Sequence, residues 1–218
     1  ATAHGGVKFY NSGQDVFRTY KYQLGESDGL KSGSVTAFHV QNDGNIWIGT
    51  KRGGLHFYNR RKNSFTYFPL DPQKPDNPFT EKIRTIKEDS YGDLWIGTKA
   101  KGIYKINITS NKSVNYIPES DNPSSLHCPD INAIFEDSRK NIWIGTYGRG
   151  LSLYNRKNDA FITFHHGIMK NVVKKFYEDR QNNLWICTLP GLFLHDRDSM
   201  TFKYWLHDPN DEHSLSNN

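Results

Sequence analysis

An all-β chain of repeated four-stranded antiparallel sheets is what the 218-residue sequence predicts, and two observations carry the prediction. First, four of the five tryptophans sit in near-copies of one apolar string: GNIWIGT (44–50), GDLWIGT (92–98), KNIWIGT (140–146) and NNLWICT (182–188). Trp47, Trp95, Trp143 and Trp185 follow one another at 48, 48 and 42 residues, a period that signals a solenoid or a propeller. Second, each string is one of four short segments of two-residue alternation divided by turn signals, and no segment keeps a 3.6-residue period with helix caps.

The elements repeat in one order. An alternating segment comes first, at 35–40 (VTAFHV), 83–88 (IRTIKE), 131–136 (INAIFE) and 173–178 (VKKFYE). A polar turn leads into the tryptophan string, and a Gly-containing turn leads on to GLHFYNR (54–60), GIYKINI (102–108), GLSLYNR (150–156) and GLFLHDR (191–197). The last segment carries aromatics at alternate places: SFTYF (64–68), SVNYI (113–117), AFITF (160–164) and MTFKYW (200–205). These read as strands a, b, c and d of one antiparallel sheet. A four-stranded sheet recurring every forty-odd residues is the blade of a β-propeller. Strand b is apolar on both faces because each blade lies between neighbours. Gly49, Gly97 and Gly145 are expected where a neighbouring blade comes close, with Cys187 in the same place in the last copy. Gly54, Gly102, Gly150 and Gly191 open strand c, where positive φ suits a tight turn. Asp89, Asp137 and Asp179 begin the a–b turn and can accept its backbone N–H groups, while Gln41 stands there in the first copy.

The expected blades are 35–82, 83–130, 131–172 and 173–218, preceded at 1–34 by strands c and d of another, with VFRTYKY (16–22) as its strand d. The chain is then a partial β-propeller, an incomplete arc of about four and a half blades, and a fragment of a longer propeller.

Composition narrows the function. The net charge is +5, with lysine, arginine and acidic residues intermixed, which reads as a solvated surface rather than a nucleic-acid stripe. No apolar run approaches the roughly 20 residues of a membrane span, and no signal segment opens the chain, so the sequence as it stands is expected to be soluble. Cys128 and Cys187 are too few for a disulfide scaffold and lack metal-ligand spacing; their roles stay open. Among nine histidines, His165 and His166 are adjacent and point apart in extended chain, and no ligand cluster is spaced for a metal. No metal, cofactor or catalytic residue is expected.

The pattern IxxIxxDxxGxLWIGTxxGGLxxY, present as IRTIKEDSYGDLWIGTKAKGIYKI (83–106) and INAIFEDSRKNIWIGTYGRGLSLY (131–154), strongly resembles the two-component regulator propeller repeat. The likeness extends over essentially the whole chain, with departures at Gln41, Lys140, Asn182, Cys187 and Leu189-Pro190. The resemblance implies the periplasmic sensor region of a hybrid protein in which histidine kinase and response regulator share one polypeptide anchored in the inner membrane. It implies an oligosaccharide released by glycan breakdown as ligand, control of transcription of utilisation genes as output, and the remaining blades of the parent chain as partners, with a homodimer also open. The kinase module is not in this chain, so no enzymatic activity is expected of it.

Ligand-binding residues are expected where the b–c and d–a connections share one end of the blades. The b–c turns place Lys51, Arg52, Lys99, Lys101, Tyr147 and Arg149 there, with His4 in the first partial copy. Arginine offers a planar fork to carboxylate or sulfate, and a tyrosine can stack on a sugar ring. Thr36, Arg84, Asn132 and Lys174 hold equivalent places in strand a and are expected to line a central channel. Two other classes compete. A glycan-directed propeller enzyme would need a catalytic set, but the sialidase Asp-box pattern is not met, since Asp89 stands three residues before Gly92 rather than two. A protein-interaction platform would use the same end, but no WD signature is present.

Overall fold

A computed structural model describes residues 6–11, 16–21, 29–71, 82–164 and 171–216. They fall into two compact units, Ala1–Asn115 and Tyr116–Asn218. Every regular element among the described residues is a strand. The predicted all-β propeller class, built of four-stranded antiparallel blades, is the observed one.

In the first unit β1 (Val7–Asn11) pairs with β2 (Val16–Tyr20). One blade follows as β3 (Val35–Val40), β4 (Ile46–Thr50), β5 (Leu55–Asn59) and β6 (Ser64–Phe68). Another is β7 (Ile83–Glu88), β8 (Asp93–Thr98), β9 (Ile103–Asn107) and β10 (Lys112–Tyr116). The second unit holds β11 (Ile131–Glu136), β12 (Ile142–Thr146), β13 (Leu151–Asn155) and β14 (Ala160–Phe164), then β15 (Val173–Glu178), β16 (Leu184–Thr188), β17 (Gly191–Asp196) and β18 (Thr201–Leu206). Each strand pairs with its sequence neighbours, the order expected of hairpins joined by short turns.

Each strand a carries the same irregularity. The register slips between Val35 and Ala37, Ile83 and Thr85, Ile131 and Ala133, and Val173 and Lys175. The extra residue of the bulge is therefore Thr36, Arg84, Asn132 or Lys174, the four expected channel residues. Thr36 Oγ1 donates to the carbonyl of Ile83 at 2.5 Å, and Asn132 Nδ2 donates to that of Val173 at 2.7 Å. Both bonds reach the first residue of the following blade. Arg84 is half-buried and Lys174 exposed.

The cores lie between successive blades. In the first unit Trp47, Leu55 and Phe68 pack with Ile83, Ile86, Leu94 and Ile96. In the second, Trp143, Leu151 and Phe164 pack with Val173, Phe176, Leu184 and Ile186. The glycine of strand b makes this possible. A Cβ on Gly49 would sit 2.4 Å from Ile83 Cγ2, and one on Gly145 would sit 2.5 Å from Val173 Cγ1. Such contacts cannot exist, so a bare backbone is required where the next blade seats its β-branched residue.

The second unit also shows one d–a connection built twice. Ser125 Oγ accepts from the Glu119 amide at 3.0 Å, and Ser214 Oγ accepts from the Asp208 amide at 2.9 Å. The turn bonds Asn122 N to Glu119 O and Ser125 N to Asn122 O recur as Asp211 N to Asp208 O and Ser214 N to Asp211 O.

Candidate functional site

The b–c turns are folded by the threonine that ends each tryptophan string. Thr50, Thr98 and Thr146 are fully buried, and their Oγ1 atoms donate to the carbonyls of Gly54, Gly102 and Gly150 at 3.1, 2.9 and 2.8 Å. The same oxygens accept the amides of Gly53, Lys101 and Arg149 at 2.8, 2.9 and 3.2 Å. The glycines have φ of 72°, 68° and 79°, the left-handed region. With the turn's polar backbone satisfied from inside, its side chains project outward. Lys51, Arg52, Lys99, Lys101, Tyr147 and Arg149 are all exposed. In the sequence these threonines merely end an apolar string and carry no cue to this role.

The d–a connection is stitched to the same end. The amides of Lys51 and Lys99 donate to the carbonyls of Ser34 and Lys82, both at 2.9 Å, and that of Tyr147 donates to Asp130 at 2.8 Å. In the second unit His127 adds a further tie. Its Nε2 lies 2.6 Å from the Arg149 carbonyl and its Nδ1 2.8 Å from Ser152 Oγ, so Nε2 donates and Nδ1 accepts. In the first blade His56 stands where Ser152 stands in strand c, and its Nε2 accepts the Lys31 amide of the d–a connection at 3.0 Å. Burial lowers the His56 pKa to about 4, which keeps it neutral and able to accept.

Within each unit these exposed side chains therefore sit at the b–c ends of their own sheets: the cations Lys51, Arg52, Lys99 and Lys101 in the first, the cation Arg149 and the aromatic Tyr147 in the second. Arg84 and Asn132 stand in the strand-a bulges. His4, His165 and His166 lie outside the described residues. Trp47, Trp95 and Trp143 are 3%, 0% and 1% exposed, and Trp185 is partly exposed.

The a–b turns hold the residues that sequence reading understated. Asp89 Oδ1 accepts the amides of Tyr91 and Asp93 at 2.9 and 3.0 Å, as expected of a turn aspartate. Its Oδ2 accepts the indole N–H of Trp95 at 2.6 Å. The same bond joins Asp137 to Trp143 at 3.0 Å and Asp179 to Trp185 at 2.9 Å. With Gln41 in that place, Trp47 Nε1 is buried without a partner. The fixed six-residue offset from aspartate to tryptophan was the signal that could have revealed it.

At this same end of the second unit lies a polar hollow of about 390 Å³, lined among others by Arg139, Gln181, Asn183, His195, Arg197 and Lys203. Arg197 is paired with Glu178 and lies 3.8 Å from Asp137, so its charge is neutralised within the protein. Ser138 donates both its amide and its hydroxyl to Glu178 at 2.7 Å. His195 is held among the rings of Trp143, Phe164 and Phe202, and burial lowers its pKa. Among the described residues no three His, Cys, Asp or Glu side chains gather as a metal site, and no helix is long and apolar enough to cross a membrane.

The two component regulator propeller family matches residues 29–52, 77–100, 125–148 and 167–189. The chain carries four two-component regulator propeller repeats. Each repeat spans the end of a d–a connection, strand a, the a–b turn, strand b and the beginning of the b–c turn. This chain is similar in structure to the extracellular domain of a protein of B. thetaiotaomicron described as a hybrid two component system, with a TM-score of 0.81 and 24% identity. A second such domain from the same organism matches with a TM-score of 0.72 and 25% identity. Each comparison covers 100% of this chain and 27% of the other, so this chain spans about a quarter of those extracellular domains. Virginiamycin B lyase of Staphylococcus aureus shares the fold at 15% identity, with a TM-score of 0.61 over 81% of this chain and 56% of the lyase chain. No curated protein matches the sequence.

Proposed function

We propose that this chain is part of the ligand-sensing propeller in the extracellular, periplasmic region of a hybrid two-component sensor. The observation that carries the reading is the joint match: four regulator propeller repeats, and likeness at 25% identity to an extracellular domain described as belonging to a hybrid two component system. The proposed ligand is an oligosaccharide from glycan breakdown that bears carboxylate or sulfate. In the first unit Lys51 and Arg52 meet the anionic group, with Lys99 and Lys101 as further contacts and Arg84 behind them. In the second unit Tyr147 and Arg149, with Asn132 behind them, form a candidate surface of their own. Their exposure on turns whose backbone is bonded from within supports this reading, because only the side chains, not the loop, then have to be ordered on binding. The signal passes to a kinase module outside this chain, on a parent anchored in the inner membrane, and ends in altered transcription.

The test is calorimetric titration of the whole extracellular region with acidic and neutral oligosaccharides. Saturable binding without turnover is expected, and the K51A/R52A pair is expected to weaken it at least tenfold while leaving the melting temperature unchanged. Unaltered affinity in that pair removes these residues from the site. Turnover of any sugar would favour an enzyme, and capture of a protein at the same end would favour an interaction platform.

A further inference from the structure

The tryptophan-bearing face of a blade is seen covered twice. On β3–β6 it presents Ala37, Trp47, Gly49, Leu55 and Phe68, and Ile83 and Ile86 of the next blade lie on it. On β11–β14 it presents Ala133, Trp143, Gly145, Leu151 and Phe164, covered by Val173 and Phe176. The register gives the corresponding face of β15–β18 as Lys175, Tyr177, Trp185, Cys187, Leu192 and Trp205. A ring pair at its centre recurs at similar spacing: Trp185–Trp205 centroids are 5.6 Å apart, against 5.3 Å for Trp47–Phe68 and 5.8 Å for Trp143–Phe164, with ring planes inclined at 36°, 85° and 29°. Yet Tyr177 is 61% exposed and Trp205 44% exposed. A face with the covered geometry and an uncovered surface fits one more blade.

That blade cannot seat itself as the others do. Cys187 supplies the Cβ, and a sulfur beyond it, where Gly49 and Gly145 have none. A Cβ at those glycines falls 2.8 Å from the Cβ of Ile83 or Val173, an overlap no side-chain motion relieves. Beside it, Lys175 is paired with Cys187 where Ala37 and Ala133 are paired with Gly49 and Gly145. Covering Lys175 without a countercharge would be costly.

We propose that this face docks a further four-stranded blade of the same polypeptide, whose first strand opens with Gly, Ala or Ser in place of the β-branched residue and which sets a carboxylate against Lys175. The same polypeptide is the occupant because the extracellular domains of similar structure are nearly four times as long as this chain, which covers 27% of each. The proposal rests on the reading of the chain as part of a larger propeller, but its test uses no ligand, so loss of the sensing reading leaves it standing.

The experiment compares this chain with the natural polypeptide extended through its next repeat. Cys187 is alkylated with N-ethylmaleimide under native conditions, with buried Cys128 as internal reference. Alkylation of Cys187 is expected to be at least tenfold slower in the longer polypeptide, and equal rates overturn the docking. Protection that rises with concentration of the shorter chain shows that a second copy covers the face, which also overturns the assignment. In the longer polypeptide, valine at the opening residue is expected to restore alkylation of Cys187. Adding Cys187→Gly to that variant is expected to restore the melting temperature. Valine tolerated with Cys187 still protected overturns the steric claim.

Discussion

Asp89 Oδ2 accepts the indole N–H of Trp95 at 2.6 Å, and this bond crosses from the a–b turn into the blade interior. One carboxylate thus satisfies two turn amides and the only polar atom of the largest buried side chain. In the first blade the indole N–H of Trp47 goes without. The two tryptophans should therefore differ in what their N–H is worth. Trp95→Phe leaves a buried carboxylate short of a donor, whereas Trp47→Phe removes an unsatisfied donor. The first is expected to cost more than the second by about 1–3 kcal/mol. Urea unfolding of the two variants measures the difference, and equal losses would count against the role given to the aspartate.

Gly145→Ala is expected to destabilise by about 1–3 kcal/mol, the usual range for overpacking, because Val173 Cβ and Cγ1 occupy the space. Val173→Ala opens that space at a cost of its own. The double variant should be less destabilised than the sum of the two, and a thermodynamic cycle by thermal unfolding reads the coupling.

Asp159 Oδ1 accepts the hydroxyls of Tyr116 and Tyr154, both at 2.5 Å, at a residue with φ of 52°. Asn63, with φ of 51°, serves Tyr20 and Tyr58 at 2.6 and 3.0 Å in the same manner. Asp159→Asn keeps an acceptor and tolerates the left-handed backbone, and a cost below about 1 kcal/mol is expected. Asp159→Ala loses both advantages, for about 2–4 kcal/mol. Chemical denaturation of the pair checks the order.

Acid should weaken the fold in two stages. The His56 pKa is depressed to about 4 by burial, so its contribution is complete above its ordinary value near 6.5 and is lost as pH falls toward 4. Burial also lowers His39 and His195, which act in the same direction. Asp179 is held down to about 2, chiefly by the Trp185 indole and then by Asn183 and Gln181. Its contribution is complete above about 4 and is lost as pH falls toward 2. The urea midpoint is expected to fall between pH 6.5 and 4 and again below pH 4. His56→Gln, which can still accept the Lys31 amide, should flatten the first stage only.

Strand positions were legible because both their cause and their signal are local. The a strands of the sequence reading coincide with β3, β7, β11 and β15, since alternation and turn residues set them within a few positions. The glycines of strand b were legible from the repeat alone, and Ile83 and Val173 now supply the reason. The Asp–Trp bond was not, because a turn aspartate is already explained by its own backbone and gives no cue that its second oxygen is occupied. Thr36 and Asn132 were legible only as polar residues expected to line a channel, and their inter-blade bonds depend on a bulge that leaves no compositional mark. The charged b–c tips were visible as types, but the buried threonines that shape them were hidden inside an apolar string.

The paired serine connections have a practical meaning. Glu119–Ser125 and Asp208–Ser214 each close on their own hydrogen bonds, and the first adds one tie to the following blade, the Phe161 amide donating to the Ser124 carbonyl at 2.8 Å. Such a segment behaves as an exchangeable cassette. Transplanting one for the other, or editing its tip, would redraw the surface of this propeller while the blades beneath kept their frame.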